Sequence, residues 1–250
     1  MTKSKAPAVD GAMQILQLLA QSTSSLSLSE ISEESNLPYS TTHRLIEALL
    51  AHNMISIDPS EKKKYCMGAK IFQLASTVFS RQDSISIFHP IAEILKNETY
   101  NSVYLNIEVG NRTVVIAKTE SSMAKASNVF IGSTFPTYQS AAGKVILSTC
   151  SKTVQETYLE HIIPKGADKT VRLESVLADI QQAKRLGYAI EHAQGENQMS
   201  LIAAPVLNMH NHALAAISVG VNRVEFTPQK VREVAAHLIQ ATRQLSSRLS

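Results

Sequence analysis

The sequence predicts an α+β protein, with a small helical domain at the N-terminus and a larger domain of helices and antiparallel strands. Two short helical segments separated by a turn lie within the first 53 residues. Beyond residue 100, short β-branched segments alternate with helical ones, and several of these strands are joined by tight turns. A chain of 250 residues is long enough for two domains of this kind.

The composition is that of a soluble globular protein. Hydrophobic residues make up 44% of the chain and charged residues 18%. No apolar run approaches the roughly 18 residues that a membrane-spanning helix needs, and the N-terminus has no apolar signal core. Cys66 and Cys150 lie in different segments, which is typical of a reduced protein. The sequence therefore predicts a cytoplasmic protein without a membrane partner.

The small domain is predicted to begin with a mobile tail over residues 1–10 and a helix over residues 12–20. Ser27 and Glu30 have the three-residue spacing of a capping box, so a second, short helix should begin there. Asn36 and Pro38 interrupt this helix, and Pro38 suits the first position of the next one. In that third helix, apolar residues share one face and polar residues crowd the opposite face near its start.

Two short helices with a tight turn and a polar front on the second helix are typical of a helix-turn-helix, whose front enters the major groove of DNA. The alternative is a pair of ordinary packed helices in an α-rich domain. The residues of this helix that are predicted to contact DNA are Tyr39, Ser40, Thr41, Thr42, His43 and Arg44.

A β-hairpin is predicted directly after the helix pair. Residues 54–57 and 65–67 are β-prone, and residues 58–60 form a turn. Lys62, Lys63 and Lys64 would then lie near the tip, where a DNA phosphate backbone passes a winged helix-turn-helix. The alternative is a solvated loop. Residues 1–80 hold seven Lys and Arg and seven Asp and Glu, so the prediction depends on where charges lie and not on their sum.

The rest of the chain reads as a connecting helix followed by the larger domain. Apolar residues in 68–82 occupy more than one narrow face of the predicted helix. This indicates a helix that packs on its own domain and also against a second partner, such as another subunit. Further helices are predicted at 84–98, despite Pro90, which could begin that helix, and at 140–150, 152–161, 174–186 and from Thr227 nearly to the end. Strands are predicted at 102–107, 113–118, 128–131, 188–191, 201–207 and 213–221.

Enzyme signatures are missing from the sequence. The segment SAAGK at 140–144 lacks the glycine spacing and the final Ser or Thr of a phosphate loop. His210 and His212 fall in a predicted turn without acidic or cysteine neighbours, which favours a solvated turn over a metal site. No G-x-S-x-G motif occurs. The sequence therefore predicts no catalytic residue, no metal site and no cofactor.

A non-catalytic binding site has more support. Ala141, Ala142 and Gly143 lie at a predicted helix start, where backbone N–H groups could bind an anion. Glu191 and Ser218 lie on predicted strands and could line the same concave site. The alternative is that the small residues allow close packing of the helix on the sheet and that Glu191 is solvated.

Five segments together resemble the IclR-type family of bacterial transcriptional regulators. They are LPYSTTHRL at 37–45, YQSAAGK at 138–144, GYAIE at 187–191, IAAPV at 202–206 and AAISV at 215–219. The resemblance covers nearly the whole chain in the family's order. It implies a winged helix-turn-helix over residues 1–67, a linker helix over 68–83, and a GAF-like effector-binding and oligomerisation domain over 84–250, assembled as a homodimer or homotetramer.

The resemblance also implies a pocket in the second domain that binds a small carboxylic acid or aromatic catabolite. The positions that correspond to the family's pocket are Ala141, Ala142, Gly143, Glu191, Leu201, Ser218 and Gly220. Leu201 replaces the family's cysteine and Gly220 replaces its second serine, so polar partners are lost. We therefore expect a larger ligand with an apolar or hydroxylated body, anchored at one end by the helix N-terminus, in preference to glyoxylate or pyruvate. The alternative is a vestigial pocket, with control exerted elsewhere.

These observations predict a sequence-specific DNA-binding transcriptional regulator. A symmetric dimer would place two recognition helices on a palindromic operator, and an effector would modulate that binding. The alternative is a GAF-type metabolite-sensing protein whose helix-turn-helix mediates protein contacts.

Overall fold

The chain divides into two units, residues 1–81 and 82–250, and each is described by itself. The computed structural model describes residues 5–61, 63–79, 84–122, 129–163, 169–193 and 199–249, without the side chains of 76–79 and 169–171. In this part of the chain, no helix is both long enough and apolar enough to cross a bilayer.

The first unit packs helices against a small antiparallel sheet. Its helices are α1 (Pro7–Gln21), α2 (Leu28–Glu34), α3 (Tyr39–Ala51) and α4 (Ala69–Phe79), and its strands are β1 (Leu26–Ser27), β2 (Ile55–Ile57) and β3 (Lys64–Met67). The strand order is β1-β3-β2. The core gathers apolar side chains from α1, α2, α3 and β2, with Ile15, Ile31 and Ile46 at its centre.

The residues that the sequence predicts to begin and end α2 do so in the structure. The Ser27 hydroxyl accepts a hydrogen bond from the Glu30 amide at 3.3 Å, and the Glu30 carboxylate accepts one from the Ser27 amide at 2.7 Å, which completes the capping box. Asn36 has a φ of +53° and ends the helix. Pro38 is the N-cap of α3 and not its first helical residue.

One prediction for this unit is wrong in part, and one strand is not predicted. The tail predicted over residues 1–10 is wrong for 7–10, because α1 begins at Pro7, where a proline needs no amide partner. The sequence also gives no sign of β1. Leu26 pairs with Tyr65 and Ser27 with Lys64, and two residues are too few to show an alternating pattern.

The second unit is built on a six-stranded antiparallel sheet in the order β6-β5-β4-β9-β8-β7. Its strands are β4 (Ser102–Val109), β5 (Arg112–Thr119), β6 (Thr134–Pro136), β7 (Ala189–Glu191), β8 (Met199–Leu207) and β9 (Ala213–Asn222). Its helices are α5 (Ser84–Thr99), α6 (Ala141–Ser148), α7 (Lys152–Ile162), α8 (Lys169–Leu186) and α9 (Pro228–Leu249). Helices α5 and α9 pack together on the sheet, and α6 packs with α8 and against β8 and β9.

Most elements of this unit are confirmed, and three predictions are wrong in detail. Pro90 lies inside α5 instead of at its beginning. Helix α8 begins at Lys169, before the predicted residue 174. The strand predicted at 128–131 is not formed by residues 129–131, and residue 128 lies outside the described residues.

The physical reason for the missing strand is a tight turn. The Ser133 hydroxyl accepts a hydrogen bond from the Phe130 amide at 3.0 Å, and Gly132 has a φ of +95°. This turn leaves Phe130 and Ile131 exposed, and the edge strand β6 forms only after it. Apolar and β-branched composition therefore misled the prediction.

Candidate DNA interface and effector cavity

The front of α3 is an exposed polar surface. Helix α3 buries Ile46 and Leu49 in the core of the first unit, which turns the other side of its first two turns to solvent. The predicted DNA-contacting residues that are exposed there are Tyr39, Ser40, Thr41, His43 and Arg44. Tyr39 is 57% exposed although it is a large aromatic residue. Hydroxyl, imidazole and guanidinium groups thus face solvent together, as base and phosphate contacts require.

Thr42 is not part of this surface, and the prediction that it contacts DNA is wrong. Its side chain is fully buried, and its hydroxyl donates to the Pro38 carbonyl at 3.2 Å. In a helix, position 42 lies on the same face as Ile46 and Leu49, so it belongs to the core side of α3.

The hairpin predicted as a wing is formed by β2 and β3. Its turn is held by the Asp58 carboxylate, which accepts hydrogen bonds from the Ser60 amide at 2.7 Å, the Ser60 hydroxyl at 2.6 Å and the Glu61 amide at 3.2 Å. The hydroxyl and amide donors of Ser60 lower the pKa of Asp58 to about 2, so this turn keeps its anionic anchor at neutral pH.

The three wing lysines are not equivalent. Lys64 lies in β3 and forms an ion pair with Glu61, which raises the pKa of its ammonium group, and Glu30 adds to that rise. Lys63 is exposed in the turn. Lys62 lies outside the described residues. The charge of Lys64 is therefore partly neutralised within the protein, whereas Lys63 faces solvent.

The second unit contains a small cavity that joins residues from six strands and one helix. It gathers four of the positions predicted for an effector site, Ala142, Glu191, Leu201 and Ser218. Sequence reasoning missed the other polar residues of its wall, namely Tyr104, Asn106, Thr113 and Ser140. The volume is about 10 Å³, which is room for about one water molecule.

The polar groups of the cavity wall are bonded to one another. The Asn106 side-chain amide donates to the Ser218 hydroxyl at 2.9 Å and to the Ala216 carbonyl at 3.3 Å. The hydroxyls of Thr113 and Ser140 lie 2.9 Å apart, and the Ser140 hydroxyl also accepts from the Gly143 amide at 3.0 Å. A polar Asn at position 106 in the middle of an apolar strand is the one sequence signal that could have located this network.

Glu191 links the cavity to a second, outer groove. Its carboxylate accepts a hydrogen bond from the Ala141 amide at 3.0 Å. Burial raises the pKa of Glu191, while the Ala141 N–H and the nearby Lys144 act in the opposite direction. The outer groove has a volume of about 410 Å³ and is also lined by Lys144 and Asp179, which are 2.6 Å apart.

Three predicted effector positions do not line the cavity. The prediction that the amides of Ala141 and Gly143 are open to an anion is wrong, because Glu191 and Ser140 already accept from them. A Cβ at Gly143 would lie 2.0 Å from the Thr137 carbonyl oxygen, so this glycine serves close packing. At Gly220, a Cβ would lie 2.3 Å from the sulfur of Met199, which fills the space that a larger side chain would occupy.

The backbone amides of the two histidines in the β8–β9 turn are hydrogen-bonded to Asn208. The Asn208 side-chain oxygen accepts hydrogen bonds from the amides of His210 at 2.9 Å and His212 at 3.0 Å. Within the described ranges, no group of three His, Cys, Asp or Glu residues is arranged to hold a metal ion.

Comparison with known proteins decides which family this arrangement belongs to. The family model of the bacterial transcriptional regulator IclR C-terminal domain matches residues 76–247, and that of the IclR helix-turn-helix domain matches residues 8–59. The chain belongs to the IclR family of bacterial transcriptional regulators. The family therefore accounts for both units, and the chain is a DNA-binding transcriptional regulator.

Relatives within the IclR family match over the full chain. The HTH-type transcriptional regulator KipR of Bacillus subtilis is 26% identical over 249 residues, which are 99% of this chain and 98% of KipR. The crystal structure of the Thermotoga maritima IclR has a TM-score of 0.74 at 21% identity and covers 97% of this chain and 98% of its own. An IclR homologue from Microbacterium hydrocarbonoxydans, crystallised with 4-hydroxybenzoate, has a TM-score of 0.73 at 17% identity, with coverage of 97% and 98%.

Proposed function

We propose that the chain binds a palindromic operator through the front of α3 and the β2–β3 wing. The observation that carries this proposal is the exposed front of α3, where Tyr39, His43 and Arg44 face solvent beside two hydroxyl residues. A second support is the wing, whose turn is fixed by Asp58 and presents Lys63. We keep the predicted domain limits of 1–67, 68–83 and 84–250, and the predicted homodimer or homotetramer.

We further propose that the cavity around Glu191 and Ser218 is an effector site that modulates operator binding. An IclR homologue with the same fold was crystallised with 4-hydroxybenzoate, which supports a small organic effector for this chain. The cavity has a volume of only about 10 Å³, so admission of a ligand requires side chains of its wall to move. Coupling between the two sites would then follow from the different affinities of the effector for the closed and opened forms.

A regulatory role without catalysis fits both sites. Relatives over the full chain are named as transcriptional regulators or repressors. Four polar side chains of the cavity are hydrogen-bonded to one another in two pairs, Asn106 with Ser218 and Thr113 with Ser140. Neither pair has the arrangement of a nucleophile and its base. A cytoplasmic location remains our prediction, because operator DNA is found there.

A gel shift tests the proposed function directly. The probe is the DNA upstream of the protein's own gene, and the control is a shuffled sequence of the same length and base composition. We expect retardation of the upstream fragment at concentrations that leave the shuffled fragment free, since specific sites typically bind about 10³-fold or more tighter than non-specific DNA. Equal retardation of both fragments, or of neither, would favour a metabolite-sensing protein whose helix-turn-helix contacts other proteins.

A further inference from the structure

Among the described residues that line the effector cavity, one carries a formal charge, and that charge is negative. Among the described residues that line the cavity, Glu191 is the one acidic side chain, and Lys, Arg and His are not represented. A second carboxylate brought into this space would face Glu191 without a cation from any of these described residues between them. Two carboxylates at such a distance repel strongly unless one of them is protonated.

Two described lysines near the cavity, Lys144 and Lys118, are already paired with acids. The ammonium group of Lys144 lies 2.6 Å from the Asp179 carboxylate, on the side of the outer groove. The ammonium group of Lys118 lies 5.8 Å from the centre of the Tyr104 ring, but it is 2.6 Å from the Glu120 carboxylate and donates to the Val129 carbonyl at 2.9 Å. Neither lysine supplies an unpaired positive charge to the cavity.

Two backbone N–H groups at the start of α6 are also already hydrogen-bonded, so they cannot bind an anion. The Ala141 amide donates to Glu191, and the Gly143 amide donates to the Ser140 hydroxyl. Within the part of the chain that the structure describes, the Ala142 amide is left without an acceptor, and Ala142 lines the cavity. One acceptor carboxylate and one donor amide therefore lie side by side at this end of the cavity.

We propose that Glu191 selects an uncharged effector that donates a hydroxyl or amide hydrogen to its carboxylate, and that it discriminates against effectors with a carboxylate at this end. A primary amide fits both groups, because its N–H can donate to Glu191 while its carbonyl accepts from the Ala142 amide. This inference rests on the proposed effector site. It narrows our sequence-based expectation of a larger ligand with an apolar or hydroxylated body that the helix N-terminus anchors at one end.

The test uses ligand pairs that share one body and differ at one group. Suitable probes are 4-hydroxybenzoate with 4-hydroxybenzamide, lactate with lactamide, and mandelate with mandelamide. Calorimetric titration of the full-length protein is done at a mildly alkaline pH, because burial raises the pKa of Glu191 and a higher pH favours its ionised form. We expect at least one amide to bind about tenfold or more tighter than its acid, since hydrogen bonds to charged groups are the stronger ones.

Variants at position 191 test whether the negative charge of Glu191 causes the preference for the amide. Glu191→Gln keeps an oxygen that can accept from Ala141 but removes the charge, so the preference for the amide should fall by about tenfold. Glu191→Asp keeps the charge and should keep the preference, and it serves as the test if the Gln variant does not fold. Glu174→Gln removes an exposed carboxylate from α8 and should leave the preference as in the wild type.

The outcomes separate this inference from the function on which it rests. Tighter binding of the acids to the wild type, or the same preference with and without the charge at position 191, would overturn the selection by Glu191 while the effector site remains. Binding of no probe to any of the four proteins would contradict the effector site itself, and the inference with it.

Discussion

The two candidate sites of this IclR-family regulator differ in how they are built. The front of α3 consists of neighbouring residues on one exposed helical surface, from Tyr39 to Arg44. The effector cavity brings together residues that are far apart in the chain, such as Asn106 and Ser218, and it is nearly filled by its own side chains. A surface site can therefore meet its ligand without rearrangement, whereas the buried site must open first.

The largest expected effect concerns packing in the second unit. Gly143→Ala would place a Cβ 2.0 Å from the Thr137 carbonyl oxygen, which belongs to the backbone and cannot move aside. We expect a loss of about 3 kcal/mol in the free energy of unfolding, at the upper end of overpacking effects. Denaturant unfolding of the second unit measures this change.

Gly220→Ala is the matched control for that prediction. Its Cβ would meet the sulfur of Met199, the far end of a flexible side chain, so we expect a loss nearer 1 kcal/mol. If both variants lost the same stability, the packing around Met199 would be as rigid as the backbone of residue 137, and the difference expected from the two contacts would be wrong.

A smaller effect is expected for the first unit, where order depends on local signals. Ser27→Ala removes the hydroxyl that accepts from the Glu30 amide and should lower the free energy of unfolding of this unit by about 1 kcal/mol. The measurement is thermal unfolding followed by circular dichroism. Ser247→Ala, near the end of α9, removes a hydroxyl that lies outside any helix N-terminus and should have a much smaller effect.

These contrasts show which parts of the structure can be predicted from sequence. The capping box, the turn at Asn36 and five of the six strands of the larger sheet follow from spacing within a few residues, whereas β6 is not predicted. The bond between Glu191 and the Ala141 amide joins residues 50 positions apart, and no local pattern indicates it. Thr42 shows a second limit, because a polar residue on the core side of α3 looks like its exposed neighbours until the helix is packed.

The pH dependence of stability provides a finer test of the cavity. The pKa of Glu191 is raised above its ordinary value of 4.5, chiefly by burial. The folded state therefore binds this proton more tightly than the unfolded state, and stability falls as the pH rises from about 4.5 through the folded pKa. The glutamine side chain of Glu191→Gln cannot ionise. The melting temperature of this variant should therefore rise relative to that of the wild type as the pH increases over this range. A constant difference would mean that Glu191 does not titrate in a buried environment.

The smallest expected effects concern the wing. Lys63→Ala should weaken binding to all DNA sequences alike and reduce the salt slope of affinity by about 1, as expected for one lost phosphate contact. Lys64→Ala should change the slope less, because Lys64 is already paired with Glu61. Affinity is measured at several salt concentrations by fluorescence anisotropy. Equal slopes for both variants would contradict the difference that the structure shows between the two lysines.

The most direct test of the central claim is the affinity of Arg44→Ala for the upstream DNA and for the shuffled control. Lys152→Ala, which removes an exposed positive charge from the second unit, is measured alongside it. If the front of α3 reads base edges, Arg44→Ala weakens binding to the upstream DNA by about 1–3 kcal/mol and weakens binding to the shuffled DNA by less. Lys152→Ala should bind both DNAs as tightly as the wild type does. If Arg44→Ala binds the upstream DNA as tightly as the wild type, or weakens both DNAs equally, Arg44 does not read the operator sequence.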